Sequence, residues 1–133
     1  MAPTKILVLK GSPRPRSNSS RLADKLAAGA RDAGAAVDSF TLHTMNIKPC
    51  DGCDACHSGD RQCIIADDMD ILYPKLRAAD VIVIATPIYW FTMSAQTKMC
   101  IDRWYALEND SGNALRGKRF VFVLTYGDSD PWT

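Results

Sequence analysis

Short continuous apolar runs alternate along this chain with segments of helical spacing. "KILVLKG" (5–11) is a brief apolar run closed by a glycine, suited to a strand buried on both faces. After the polar turn "SPRPRSNS", Leu22, Leu26, Ala30 and Ala33 recur at helical spacing, with Asn18 or Ser19 as N-cap and Gly34 past the end. "AVDSFTLH" reads as a second, weaker strand. In "DDMDILYPKLRAAD" the residues Met69, Leu72, Leu76 and Ala79 again have helical spacing. Pro74 lacks an amide donor and clashes one turn back, so the pattern predicts a short turn and a helix starting near Pro74, or a kink there. "VIVIATPIY" is the strongest strand, "SAQTKMCIDRWYAL" a helix with Ser94 near its start, "NDSGN" a loop, and "RFVFVLTYG" a fourth strand.

Strands alternating with helices imply βαβ units and an α/β fold, with a mostly parallel sheet covered on both sides. No repeat, low-complexity segment or linker divides residues 1–133, so a single domain is expected, with a cysteine-rich, insertion-like loop at 48–66. The last residues, "GDSDPWT", form a loop just after a central-type strand. A doubly wound sheet normally adds a helix and an edge strand there, so a C-terminally truncated domain is expected.

Composition narrows the classes. A formal net charge of +1 over 133 residues gives no global reason for binding nucleic acid or an anionic membrane. No stretch approaches the ~20 apolar residues of a membrane span. The apolar run in "MAPTKILVLKGS" is too short for a signal peptide, so a cytoplasmic protein is expected. Thiols stay reduced there, and clustered cysteines bind metal or do redox chemistry more often than they form disulfides. Charge is uneven locally: Lys10, Arg14, Arg16 and Arg21 gather near the start, and Asp51, Asp54, Asp60, Asp67, Asp68 and Asp70 surround the cysteines.

Ligands of open α/β sheets sit beyond the carboxyl ends of the strands, which points to three loops at 11–20, 87–94 and 125–130. The first, "GSPRPRSNSS", joins a strand to a helix, where free N–H groups and the helix dipole favour a phosphate. Ser12, Ser17, Asn18 and Ser19 add polar donors and Arg14 adds charge. The loop has neither the Gly-Lys-Ser/Thr of a Walker motif nor G-x-G-x-x-G, so a phosphomonoester held mainly by hydroxyls, as in FMN, fits better. Plain helix capping is the competing explanation. The second loop sets Tyr89, Trp90 and Phe91 together past a buried strand, where a planar ligand or a subunit interface would partner them. The third supplies Thr125, Tyr126, Gly127 and Asp128, which is also ordinary turn chemistry.

Cys50, Cys53, Cys56 and Cys63 have the spacing C-x2-C-x2-C-x6-C. That compact run resembles cluster ligation in ferredoxins, with Gly52 allowing a tight turn between ligands. Zinc usually separates two cysteine pairs by a longer stretch and ranks second to a cluster; zinc or an empty site is the alternative. "CDACH" also matches a haem-attachment string, which normally requires export. His57 then reads as a solvated loop residue, His43 as structural, and Cys100 as a small apolar packing residue. Asp67, Asp68 and Asp70 precede a helix, where capping explains them without catalysis.

Three stretches, "KGSPRPRSNSSRLADKL", "CDGCDACHSGDRQCIIADDM" and "ATPIYWFTMSAQTKMCIDRWY", together resemble the NAD(P)H-dependent FMN reductase-like group of flavodoxin-fold proteins. They are most similar to its iron-sulfur flavoprotein branch. The resemblance implies a flavodoxin-like doubly wound parallel sheet of order 2-1-3-4, lacking here its fifth strand and last helices. It implies an FMN phosphate held by Ser12, Arg14, Ser17, Asn18 and Ser19. The flavin ring would lie against Pro87, Ile88, Tyr89, Trp90, Phe91 and Thr92, and against Thr125, Tyr126, Gly127 and Asp128. It further implies a homodimer or homotetramer, with the aromatic loop near a subunit boundary. The expected function is electron transfer through FMN and a [4Fe–4S] cluster. NAD(P)H or a reduced carrier would be the donor, and a small molecule or protein the acceptor. No side chain is assigned as a catalytic acid or base. A cluster-free NAD(P)H-dependent FMN, quinone or azo reductase is the first alternative; an electron carrier or zinc-stabilised binding module is the second.

Overall fold

The computed structural model describes residues 2–58 and 62–127. In chain order its elements are β1 (Lys5–Lys10), α1 (Asn18–Asp32), β2 (Ala36–Thr41), α2 (Met69–Ala78), β3 (Val81–Tyr89), β4 (Thr92–Met93), α3 (Ala95–Asp102), β5 (Glu108–Asn109), β6 (Gly112–Asn113) and β7 (Arg119–Thr125). Among the described residues no helix is long and apolar enough to cross a membrane.

The four long strands form a parallel sheet of order β2-β1-β3-β7. Since β7 is the fourth long strand, this is the expected 2-1-3-4 order of a flavodoxin-like α/β sheet. Alternation along each central strand divides the core between the two faces of the sheet. Leu7, Leu9, Ile82 and Ile84 pack with Met69, Leu72 and Leu76 of α2 and with Cys100 of α3. Val8, Val83 and Ala85 pack on the other face with Ala23 and Ala27 of α1. The interior of each central strand, Ile6 to Leu9 and Val81 to Ala85, is therefore continuously apolar, as a strand covered on both faces must be. The "NDSGN" loop is the tip of a small hairpin made by β5 and β6.

Two helices differ from the sequence expectation. The N-cap of α1 is Ser17, one residue earlier than expected, and its hydroxyl accepts from the Ser20 N–H. The buried face of α1 is Ser19, Ser20, Ala23 and Ala27 rather than the stripe through Leu22, which is 53% exposed. Small side chains at that face let the helix lie close to Val8 and Val83, so proximity to the sheet selects size over hydrophobicity. In α2 the helix runs through Pro74 instead of beginning there. Its first turn is already fixed upstream, where Asp67 accepts from the Met69 N–H and Asp67 and Asp68 carbonyls accept from Asp70 and Ile71. Pro74 falls on the exposed face, so its ring displaces nothing in the core.

Strand register builds the ligand-facing edge. Lys10 of β1 is level with Ala85 of β3, so β3 continues from Thr86 to Tyr89 beyond the end of β1. Beside it β7 reaches Thr125 opposite Pro87. These overhanging residues make a wall next to the loop that leaves β1.

Candidate functional site

The loop after β1 is held against β3 and α3 by a knot of buried hydroxyls. The Gly11 N–H donates to the Ala85 carbonyl at 2.7 Å, and Ser94 Oγ donates to the Gly11 carbonyl at 2.6 Å. Ser94 also accepts from the Thr97 N–H as N-cap of α3, and its own N–H donates to Thr86 Oγ1 at 3.0 Å. A Cβ at residue 11 would lie 1.8 Å from Thr97 Oγ1. Only glycine lets the loop and the start of α3 approach this closely.

From that anchor the loop carries Ser12, Arg14, Arg16, Ser17 and Asn18 to one side of a cleft of about 310 Å³. Ser12 is buried and its hydroxyl accepts from the Arg14 N–H, which fixes the turn. Ser17 starts α1, and the N–H groups of Asn18 and Ser19 have no carbonyl four residues back within the helix. No acidic side chain occupies the first turn of α1, so the positive end of its dipole meets no built-in anion.

The opposite wall is Pro87, Ile88 and Tyr89 from the overhang of β3, together with Thr125, Tyr126 and Gly127. Asp128 lies outside the described residues. The structure thus brings ten of the anticipated residues to one cleft and adds Arg16. Ser19, Trp90, Phe91 and Thr92 do not line it. Ser19 is buried, with its hydroxyl 3.3 Å from Ser17 Oγ. Thr92 pairs with Tyr89 to close a two-residue hairpin whose tip is Trp90 and Phe91. Both tip residues have positive φ, 47° and 70°, and are 90% and 81% exposed. A tight hairpin turn wants positive φ at both central positions and normally recruits glycine or asparagine. Here two aromatic rings stand in solvent at the rim of the cleft, packed edge to face at 5.6 Å.

A larger hollow, about 430 Å³, lies at the amino ends of the strands near Thr4, Asp80 and Arg116. Lys118 of that hollow is already engaged in structure, donating to the Arg77 and Ala79 carbonyls at the end of α2. The cleft at the carboxyl edge is where three separate loops converge, and we take it as the site.

The cysteine segment lies on the α2–α3 side of the sheet. Gly52 (φ 70°) and Asp54 (φ 57°) turn the backbone, and a short 3₁₀ turn, Ala55–His57, follows. Cys50 and Cys53 are exposed, Cys63 is half-buried and Cys56 is buried. All are free thiols. Burial, and then the neighbouring Cys63, Cys53 and Cys50, push the Cys56 thiol above its ordinary value. Among the described residues no set of three or more His, Cys, Asp or Glu side chains is drawn close enough to hold a metal ion.

The segment rests on the 3₁₀ turn that continues α3, Arg103–Leu107. The His57 ring stacks on Tyr105 at 4.0 Å, and its Nε2 lies 2.9 Å from the Tyr105 carbonyl oxygen, so His57 is a packing residue and not the solvated one expected. His43 sits at the end of β2 with its Nδ1 3.1 Å from the Gln96 side-chain amide. Below the cysteines, Arg103 forms a buried ion pair with Asp67 at 2.6 Å. Burial would raise the Asp67 carboxyl, but hydrogen bonds from Arg103 and from the Lys48 and Met69 N–H groups hold it below its ordinary value. Asp67 does cap α2, as expected, yet it is also the counter-ion of a buried arginine. Asp68 turns away to accept from the Asn46 N–H. Cys100 packs in the core as expected, and burial pushes its thiol up to about 11.

Sequence reasoning did not find the Ser94–Thr97–Gly11 knot or the Arg103–Asp67 pair. Gly11 was the one visible sign of the first. The second had no local sign, since its partners are 36 residues apart in sequence.

Comparison with known proteins agrees with this architecture. The sequence profile of the family described as "NADPH-dependent FMN reductase" matches residues 4–130. An "Iron-sulfur flavoprotein" of Methanosarcina thermophila is 36% identical over 118 residues, covering 84% of this chain and 61% of the relative. Another of the same description from Archaeoglobus fulgidus is 36% identical over 123 residues, covering 92% of this chain and 62% of the relative. The chain therefore spans about three-fifths of the length of these relatives. The solved structure of the "NAD(P)H:quinone oxidoreductase from Methanothermobacter marburgensis" superposes with a TM-score of 0.78 over 97% of this chain and 68% of that one. At 19% identity, that likeness carries the fold alone. The profile match establishes that this chain belongs to the NADPH-dependent FMN reductase family, and iron-sulfur flavoproteins are among the curated relatives to which it is similar.

Proposed function

We propose that this protein is an FMN-dependent oxidoreductase that holds FMN in the carboxyl-edge cleft and a [4Fe–4S] cluster on Cys50, Cys53, Cys56 and Cys63. The observation that carries the reading is the convergence of the loop heading α1, the β3 overhang and the end of β7 on one cleft. That cleft has hydroxyls, arginines and a helix N-terminus on one wall and apolar and aromatic groups on the other. A phosphomonoester suits the first wall and a planar ring the second. At about 310 Å³ the cleft is at the small end of ligand sites, so part of an FMN would remain open to a reaction partner.

For the cluster, the donor set fits in kind: four free cysteine thiols on one short segment are the all-cysteine set that iron-sulfur ligation requires. Bound together, FMN would exchange electron pairs with a donor such as NAD(P)H and the cluster single electrons with an acceptor. Ser12, Ser17, Asn18 and Arg14 would bind the phosphate, and Pro87, Ile88 and Tyr89 would orient the ring. Thr125, Tyr126 and Gly127 would close the far side. None of these residues needs to move a proton. Asp51 and Asp54 beside the cysteines favour a basic acceptor over an acidic one. The exposed Trp90 and Phe91 support a homo-oligomer with the hairpin at its boundary.

Titration of FMN fluorescence tests the cleft. Ser17→Ala combined with Asn18→Ala is expected to weaken FMN binding by roughly tenfold, about 1.4 kcal/mol. Loss of the cap is also expected to lower unfolding stability by about 1 kcal/mol. Unchanged affinity would place the phosphate elsewhere.

A further inference from the structure

We propose that Arg103 is a positioning residue for the metal centre: it sets the closing cysteine, Cys63, and pins both ends of the cysteine segment to the fold. The proposal rests on the cluster reading above. Arg103 lies just after α3, 2% exposed, and its guanidinium spreads over acceptors from both ends of residues 48–67. Nη1 donates to the Lys48 carbonyl at 2.9 Å and to Asp67 Oδ2 at 2.6 Å. Nη2 donates to Cys63 Sγ at 3.3 Å, to Asp67 Oδ1 at 3.3 Å and to the Ile65 carbonyl at 3.4 Å. Asp67 completes the clasp by accepting from the Lys48 N–H at 2.8 Å, so both backbone polar groups of Lys48 are held.

Stability alone does not account for this arrangement. A buried ion pair returns little net stability, because taking both charges out of water offsets their attraction. What it gives is a fixed place. A planar fork can reach carboxylate, two carbonyls and a sulfur at once, which an ammonium point charge cannot. Tyr73 reinforces the position: its hydroxyl donates to the Arg103 carbonyl at 2.9 Å. Burial, and then contact with Cys63, push that hydroxyl above its ordinary pKa. Cys63 is thus the cysteine seated by a buried cation before any metal arrives, whereas Cys50 and Cys53 stand exposed on the outer turn. An N–H donated to a cluster sulfur also stabilises the reduced cluster, so Arg103 acts on its potential as well as its seating.

Arg103→Lys keeps the charge opposite Asp67 and removes the fork. The full chain and this variant are reconstituted anaerobically with ferrous iron and sulfide. Bound iron, the rate of iron loss to a chelator, the reduction potential and FMN affinity are then measured. The expected variant binds FMN within about twofold of wild type, loses iron at least about fivefold faster, and has a more negative cluster potential. Wild-type iron retention and potential in a folded Arg103→Lys protein would overturn the proposal and leave the cluster reading intact. A wild-type protein that takes up no iron would overturn both. If Arg103→Lys does not fold, Arg103→Gln with Asp67→Asn removes the two charges together and carries the same readouts.

Discussion

The carboxyl-edge cleft and the cysteine segment are built by opposite means. The cleft is finished by the fold itself: parallel register makes β3 overhang β1, and a glycine and three buried hydroxyls lock the intervening loop. Among its described residues the cysteine segment has no strand or α-helix between β2 and α2, and it is secured at its base by one arginine and along its outer turn by a stacked histidine. A site that must present hydrogen-bond donors to a phosphate benefits from being rigid beforehand. A site whose ligands converge on a metal can leave part of its ordering to the metal, because binding energy then becomes folding energy.

Removing Arg103 strikes the weaker region hardest. Arg103→Ala leaves Asp67 buried without its counter-ion, and unfolding in urea is expected to show a loss of about 3–5 kcal/mol. The same pair gives an acid limb. The Asp67 carboxyl is held below its unfolded value of about 3.9, so its contribution is fully present above that pH. It disappears as pH falls through the lower, folded value. Wild type is thus expected to lose stability below about pH 4 more steeply than Asp67→Asn, and parallel curves would remove Asp67 from the account.

Gly11→Ala tests the rigid region. Its Cβ would fall on Thr97 Oγ1, so the loop or the start of α3 must shift. A stability loss of about 1–3 kcal/mol is expected from overpacking. FMN affinity should fall by roughly tenfold, with iron content unchanged. If iron fell equally, the two regions would be coupled and the contrast between them lost.

The smallest effect is expected at the rim. Replacing Trp90 and Phe91 by Asn and Gly relieves positive φ at both positions, so the dissociated chain should gain about 1–2 kcal/mol in thermal unfolding. The same change removes two rings from the proposed subunit boundary, and sedimentation should show a weaker assembly; an unchanged assembly would take the hairpin out of the boundary.

What could be read in the sequence follows from the range of the forces involved. β3 was legible to the residue, since a run of β-branched residues buried on both faces leaves no competing periodicity. The parallel sheet and the loops that meet at its carboxyl edge followed from alternation of elements, and the strand order from the family resemblance. The face of α1 was misjudged because large residues dominate a hydrophobic pattern, while close approach to the sheet required Ser19, Ala23 and Ala27. Pro74 was misplaced because the helix start is set by Asp67, whose position depends on Arg103 far along the chain. Long-range polar contacts such as Ser94 to Gly11 leave no periodic trace, so the scaffolding of both regions stayed hidden.

The central claim is that one chain joins an FMN cleft to an iron-sulfur segment, and a single anaerobic sample tests it most directly. FMN, iron and acid-labile sulfide are assayed beside its visible spectrum before and after reduction. About one FMN, four iron and four sulfide per chain are expected, with a broad absorbance that bleaches on reduction. Zinc in place of iron, with no bound or titratable FMN, would contradict it.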